Sequence, residues 1–113
     1  MPKLATITFN GKSGTAYSFN VYPITEECPS ESGIYIFTKA DGVSHTAIYI
    51  GMAASLESRF YNHHKDDCID KNGANRICLM QVKNESDRIK IEKDLLANYA
   101  TKCNEVNNPV TPK

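Results

Sequence analysis

Short segments rich in apolar, β-branched and aromatic residues occupy the first half of the chain, and these patterns predict β-strands. Four such segments form two pairs. A turn-forming cluster separates the members of each pair, at residues 10–14 in the first and at residues 40–42 in the second. The strand segments are residues 4–9, 15–22, 33–39 and 46–50. Because a short turn containing glycine favours antiparallel pairing of its flanking strands, we expect two β-hairpins.

Helical spacing replaces these strand patterns in the second half of the chain. Across residues 53–67, the side chains of Leu56, Phe60 and His63 recur at intervals of four and three positions. Ser55 is a candidate N-cap for this segment, because its hydroxyl can accept a hydrogen bond from the first helical turn. The pattern therefore predicts an amphipathic helix directly after the second hairpin.

A break at residues 70–75 separates this helix from two further elements. Residues 76–82 predict a strand, and a last helix is expected from residue 87 to about residue 99, with Ser86 as its candidate N-cap. Alternation along the strand places Ile77, Leu79 and Gln81 on one face, and Cys78, Met80 and Val82 on the other. One face of the last helix is predicted to carry Ile89, Glu92, Leu95 or Leu96, and Tyr99.

Composition indicates one domain without bulk charge. The 113 residues include 13 Lys and Arg against 13 Asp and Glu, so the net charge is zero. This balance counts against tight, non-specific binding of nucleic acid through bulk charge, but it does not exclude a local basic face. The candidate basic face comprises Arg59, Lys65, Lys71, Arg76 and Lys90.

The sequence also indicates the cellular compartment in which the protein resides. The start of the chain does not resemble a signal peptide, and no segment reaches the roughly 18 consecutive apolar residues of a membrane helix. The four cysteines, Cys28, Cys68, Cys78 and Cys103, are irregularly spaced. We therefore expect a cytoplasmic protein that has no membrane contact and keeps its thiols reduced.

Two tripeptides on the second hairpin begin an ordered set of residues suited to phosphate chemistry. Gly-Ile-Tyr at residues 33–35 opens one strand, and Tyr-Ile-Gly at residues 49–51 ends the other. The set continues in chain order with Arg59, His63, Glu92 and Asn104. Arg59 and His63 are four positions apart, so they share one face of the predicted helix.

This ordered set resembles the GIY-YIG nuclease family over about residues 32–104, and the order is far more specific than either tripeptide alone. The resemblance implies an α+β fold: a three-stranded antiparallel sheet flanked by helices, to which this chain adds an N-terminal β-hairpin. It divides the chain into three parts. These are the hairpin extension with its connector at residues 1–31, a catalytic core at residues 32–106 and a flexible tail at residues 107–113.

The activity that the resemblance implies is a divalent-metal-dependent endonuclease that hydrolyses phosphodiester bonds in DNA, with Mg²⁺ or Mn²⁺ as its cofactor. A short domain of zero net charge lacks an obvious means of tight, sequence-specific binding. Selection of branched or flapped DNA by shape is therefore an alternative to selection by sequence. A homodimer or a separate targeting partner is a further expectation.

Site roles carry over from the family residue by residue. Glu92 is expected to hold the metal, because a hard cation such as Mg²⁺ needs only one or two protein carboxylates beside water and phosphate oxygens. Arg59 would offer a planar, permanently charged fork to the phosphate. Tyr35 would act as the general base or orient the attacking water, and Tyr49 would position the phosphate. His63 would accept or relay a proton, since its ordinary pKa of about 6.5 suits that role.

Three further residues are expected to support the site. Gly33 and Gly51 meet a backbone need at the strand ends, either a positive φ angle or a close approach of another group. Asn104 would tie the last helix to the sheet through side-chain hydrogen bonds. Many relatives carry proline shortly before this asparagine, whereas this chain has Thr-Lys-Cys at residues 101–103.

Two other interpretations of the residues stay open. The chain could keep the fold as a non-catalytic module that binds nucleic acid or protein, which fits its neutral charge and small size. A zinc site built from His63, His64, Cys68 and Cys78 is a weaker alternative, because the spacing lacks the paired Cys-x-x-Cys that is typical of structural zinc.

Overall fold

Five antiparallel strands form one sheet in the spatial order β1-β2-β5-β3-β4. In this computed structural model the described residues are 3–24, 32–42, 44–54, 67–101 and 103–104. The strands are β1 (Ala5–Asn10), β2 (Ala16–Pro23), β3 (Gly33–Asp41), β4 (Ser44–Ala53) and β5 (Arg76–Gln81). The helices are α1 (Asp67–Lys71) and α2 (Glu85–Asn98). The α+β class expected from the sequence is confirmed.

Both predicted hairpins are present, and they lie on opposite sides of β5. β1 pairs with β2, and β3 pairs with β4. β5 joins the two hairpins because it pairs with β2 on one side, where Val21 faces Cys78, and with β3 on the other, where Ile36 faces Cys78. The N-terminal hairpin therefore extends the sheet of the core.

Each face of the sheet buries its own apolar cluster. One face carries Tyr35, Phe37, Tyr49, Ile77 and Leu79, packed with Ile48, Ile69 and Cys103. The other carries Ile34, Ile36, Ile50, Cys78, Phe9, Phe19 and Val21, packed with Leu95 of α2. The alternation predicted for residues 76–82 is confirmed, because Ile77 and Leu79 lie on the first face and Cys78, Met80 and Val82 on the second. Two-sided burial explains why β3 is buried along six consecutive residues from Gly33.

Helix α2 begins earlier than the sequence suggested. Asn84 is the N-cap, and its side-chain oxygen accepts hydrogen bonds from the backbone N–H groups of Ser86 (2.9 Å) and Asp87 (3.2 Å). The prediction of Ser86 as the cap is therefore wrong. Its hydroxyl instead donates to the same Asn84 oxygen at 2.6 Å. Asparagine is as strong an N-cap as serine, so local preference alone did not distinguish the two positions.

The buried face of α2 also differs from the predicted one. Arg88 and Leu95 are buried, whereas Ile89 is 36% exposed. The predicted inclusion of Ile89 in this face is wrong, because the helix is rotated so that position 88 points to the protein. The Arg88 guanidinium compensates for its burial by donating hydrogen bonds of 3.0 Å to the backbone carbonyls of Val82 and Lys83.

The prediction of reduced thiols is wrong for two cysteines. Cys68 of α1 and Cys103 form a disulfide across a separation of 35 residues, with their Cα atoms 5.8 Å apart. Irregular spacing gave no hint of this pair, because tertiary folding alone brings the two positions together. Cys78 is a buried thiol, and burial raises its pKa to about 12.

Several other expectations can be compared with the described residues. The helix predicted for residues 53–67, with its cap Ser55, lies almost wholly outside them, although Ala53 itself ends β4. In the part of the chain that is described, no three His, Cys, Asp or Glu side chains come together as a metal-binding group. Cys68 is committed to the disulfide, which removes it from any zinc site. No helix in the described ranges combines the length and the apolar character needed to cross a membrane.

Candidate active site

Two of the predicted site residues, Tyr35 and Tyr49, lie side by side on one face of the β3–β4 hairpin. The register places Tyr35 opposite Gly51 and Phe37 opposite Tyr49, so the two tyrosines are diagonal neighbours across the strand pair. Their ring centroids are 6.0 Å apart with an interplanar angle of 31°. Both side chains are buried, at 1% and 5% exposure. The hairpin register therefore suffices to bring the two tripeptides into contact.

Gly51 is needed because the Tyr35 ring lies directly over it. A Cβ atom at this position would stand 2.5 Å from Tyr35 Cζ and would overlap the hydroxyl as well. At Gly33 a Cβ atom would overlap the backbone carbonyl oxygen of Met80 on β5. Neither glycine has a positive φ angle; among the described residues that conformation occurs at glycines 14, 42 and 73. The sequence left two explanations for these glycines open, a positive φ angle or the close approach of another group. At both Gly33 and Gly51 the structure shows the close approach.

The Asn104 side chain binds the edge of the sheet at Ile50, the central residue of the Tyr-Ile-Gly motif. Its side-chain oxygen accepts a hydrogen bond from the Ile50 N–H, and its amide nitrogen donates to the Ile50 carbonyl oxygen, both at 2.8 Å. β4 is the last strand at this side of the described sheet, so the Asn104 amide replaces one peptide unit of a neighbouring strand. Thr101, which is buried, also donates its hydroxyl hydrogen to the Asn104 side-chain oxygen.

Thr101 was not among the residues predicted from the sequence. It stands in the stretch where many relatives carry proline, and its hydrogen bond fixes which way the Asn104 amide points. A threonine three positions before a site asparagine is too common to be a signal by itself, so the sequence gave no means of finding it.

Glu92 lies on α2 and is partly buried. It follows the buried Arg88 by one helical turn and precedes the buried Leu95 by three positions, which places it on the side of the helix that faces the protein. Arg59 and His63, the other two predicted site residues, lie outside the described residues. Leu95, three positions after Glu92, packs into the cluster on the sheet face opposite to that of Tyr35 and Tyr49. Among the described residues, the structure therefore brings together the tyrosine pair over Gly51 and the Asn104 side chain at Ile50, and it places Glu92 separately on α2.

This arrangement is compatible with a hydrated Mg²⁺ ion. Glu92 is the one carboxylate that the sequence assigned to the site, and among the described residues no group of three or more His, Cys, Asp or Glu side chains forms around it. Mg²⁺ is commonly held by one or two carboxylates, with water and substrate phosphate oxygens completing its coordination. A single carboxylate on a well-anchored helix meets that requirement, whereas zinc would demand more nitrogen or sulfur ligands.

Known proteins that resemble this chain point to one domain type. No protein-family model matches the chain. The UvrABC system protein C of Fervidobacterium nodosum is 29% identical over 91 residues, which cover 74% of this chain and 15% of that protein. The chain thus spans about a seventh of the length of this curated relative.

Two solved structures are similar to the chain in both sequence and backbone fold. Both are crystal structures of the GIY-YIG N-terminal endonuclease domain of UvrC from Thermotoga maritima, each 29% identical with a TM-score of 0.54. The alignments cover 66% of this chain and 82% or 83% of the crystallised domain. One contains magnesium as its catalytic divalent cation, and the other is a tyrosine-to-phenylalanine point mutant bound to its catalytic divalent cation.

Sequence and backbone similarity thus agree, and the aligned region includes most of the crystallised domain. Both kinds of similarity support a GIY-YIG nuclease domain in this chain.

Proposed function

We propose that this chain is an endonuclease that hydrolyses phosphodiester bonds in DNA with Mg²⁺, or Mn²⁺ in its place. The observation that carries the proposal is the contact of Tyr35 with Tyr49 above Gly51, in a domain whose solved neighbours bind a catalytic divalent cation. Phosphodiester hydrolysis requires a positioned nucleophile, relief of phosphate charge and a stabilised leaving oxygen, and the residue set offers each of these.

Each proposed role follows from the chemistry of the side chain. Glu92 holds the cation, which supplies charge neutralisation at the phosphate when bound. Arg59 contributes a permanent positive charge and two parallel donors to the phosphate oxygens. Tyr35 orients the attacking water or accepts its proton, Tyr49 contacts the phosphate, and His63 accepts or relays a proton. Tight packing of the tyrosine pair supports these roles, because buried rings hold their hydroxyl groups in fixed positions.

DNA is the proposed substrate, and selection by shape is the proposed basis of recognition. The relative in Fervidobacterium nodosum is a component of the UvrABC system, which associates the domain type with DNA repair. Zero net charge leaves only a local basic face, of which Lys71, Arg76 and Lys90 lie in the described residues. A few phosphate contacts of this kind give weak binding that falls steeply with salt. A homodimer or a separate targeting partner would supply the missing affinity.

A cytoplasmic location is also proposed, because DNA and Mg²⁺ meet in that compartment in bacteria. The disulfide between Cys68 and Cys103 opposes it, since cytosolic thiols are generally kept reduced. Fractionation of cells that express the tagged chain distinguishes a cytoplasmic location from an oxidising compartment. Recovery in an oxidising compartment would refute the cytoplasmic assignment.

Nicking of supercoiled plasmid in the presence of Mg²⁺ or Mn²⁺ tests the nuclease directly. We expect Glu92→Ala to abolish nicking and Arg59→Ala to reduce it by orders of magnitude. The matched control is Glu85→Ala, which removes an exposed carboxylate from the first turn of the same helix and should leave nicking intact. Equal activity of the wild type and Glu92→Ala would reveal a contaminating nuclease and refute the mechanism.

A non-catalytic binding module on the same fold is the competing function. It predicts DNA retention without cleavage for the wild type and for Glu92→Ala alike. A panel of linear, flapped, forked and four-way DNA substrates, incubated with each metal, separates the two functions and shows at once whether shape governs the choice of substrate.

A further inference from the structure

The turn that joins β1 to β2 is fastened to the side of α2 by one carboxylate. Asp94 accepts hydrogen bonds from the Ser13 backbone N–H (2.9 Å), the Ser13 hydroxyl (2.7 Å) and the Tyr17 hydroxyl (2.7 Å). Its backbone carbonyl accepts a further bond from the Lys12 N–H at 3.0 Å. Four hydrogen bonds therefore converge on one residue of the helix, from a hairpin that the family core does not require.

A second group of contacts continues this attachment at the end of α2. The Asn98 amide donates to the Asn10 carbonyl oxygen at 2.8 Å, and the Asn10 N–H donates to the Tyr99 hydroxyl at 3.2 Å. The Tyr99 ring also packs edge-to-face on Phe9 of β1, with centroids 5.6 Å apart. The C-terminal half of α2 is thus held by the N-terminal hairpin along more than one turn.

The opposite end of α2 is held by its own entry loop. Asn84 caps the first turn, and Arg88 donates two hydrogen bonds to the carbonyls of Val82 and Lys83. Glu92 lies between these two anchors, about 6 Å along the axis after Arg88 and about 3 Å before Asp94. A rigid helix fixed at both sides of Glu92 cannot rotate or slide without breaking one of the anchors.

We propose that the N-terminal hairpin positions the metal-binding carboxylate, and that Asp94 is the positioning residue through which it does so. The proposal rests on the proposed function, in which Glu92 holds the cation. Catalytic groups must be held within about 0.5 Å of their working position, and supporting hydrogen bonds commonly provide that precision. The geometry that supports the proposal is the set of four hydrogen bonds from Lys12, Ser13 and Tyr17 to Asp94.

Binding of Mn²⁺ to the DNA-free protein, followed by electron paramagnetic resonance titration, tests this positioning role without relying on activity. Measurements are made at a temperature where circular dichroism shows every variant to be folded. Asp94→Ala should raise the Kd for Mn²⁺ about 10-fold, which is typical when a group that supports a metal ligand is removed. Asp94→Asn, whose amide oxygen can still accept from Ser13, should lie between Asp94→Ala and the wild type. The charge-matched control Asp87→Ala, on the same helix and exposed, should bind Mn²⁺ like the wild type.

Each outcome has a distinct meaning. If Asp94→Ala melts at a lower temperature but keeps the wild-type Kd, the hairpin only stabilises the fold and the positioning role is refuted. If Asp94→Ala does not fold, Tyr17→Phe removes a single hydrogen bond of the network and must raise the Kd in the same direction, or the proposal fails. Glu92→Ala distinguishes this failure from that of the proposed function: unchanged Mn²⁺ binding in Glu92→Ala would overturn both, whereas its loss beside a normal Asp94→Ala overturns the positioning role alone.

Discussion

Replacing Asn104 with alanine leaves two backbone groups of a buried strand residue without partners. Ile50 is fully buried, and both its N–H and its carbonyl bond to the Asn104 amide at 2.8 Å. Each hydrogen bond contributes about 1 kcal/mol net, and a buried group that loses its partner costs about 1–3 kcal/mol. Water can reach part of the outer edge of β4, so we expect the lower part of the combined range. Asn104→Ala should lower the free energy of unfolding by about 2–4 kcal/mol.

Urea unfolding followed by circular dichroism measures this change as a lower midpoint with an unaltered slope. Asn98→Ala is the matched control, because it removes an exposed asparagine that makes one side-chain hydrogen bond, to the carbonyl of Asn10. It should cost less than about 1 kcal/mol. A change below about 0.5 kcal/mol for Asn104→Ala, or equal changes for the two variants, would refute the view that Asn104 completes the edge of β4.

Two further predictions concern the tyrosine pair and the disulfide. Gly51→Ala forces the Tyr35 ring to move by roughly 1 Å, so kcat should fall about 100-fold while the protein still folds. The same substitution in a Tyr35→Ala background should cost much less stability, and an equal cost in both backgrounds would exclude the overlap as the cause. Reduction of the bond between Cys68 and Cys103, which closes a loop of 35 residues, should lower the free energy of unfolding by about 4 kcal/mol. Urea titrations with and without dithiothreitol measure this contribution, and identical midpoints would show that the bond adds nothing.

The elements that the sequence predicted well are those whose pattern is local. The apolar, β-branched runs at residues 33–39 and 46–50, around a turn containing Gly42, were enough to predict the β3–β4 hairpin. The same hairpin register brings Tyr35 and Tyr49 together, so the described half of the site followed from local pairing. The predicted N-cap and the predicted buried face of α2 were each wrong by one or two positions. Asparagine and serine have similar N-cap preferences, and the apolar pattern of a helix does not fix its rotation to within one residue.

Contacts between distant parts of the chain left no mark that could be recognised in one sequence. Asp94 meets Ser13 across 81 positions, Asn104 meets Ile50 across 54, and Cys68 meets Cys103 across 35. In each pair the residue types are ordinary, and their local patterns fit many other arrangements.

By itself, the sequence determined the strands and their pairing into hairpins, because periodicity and turn preferences act over a few residues. The candidate residues for phosphate chemistry came instead from the ordered set that resembles the GIY-YIG family. Tertiary structure alone decided that the first hairpin joins the sheet at β5 and fastens the helix that carries Glu92. It also decided that Asn104 bonds to β4 at Ile50 and that Cys68 and Cys103 form a disulfide. These outcomes depend on how two faces of one sheet are covered at the same time, and that is a property of the packed chain as a whole.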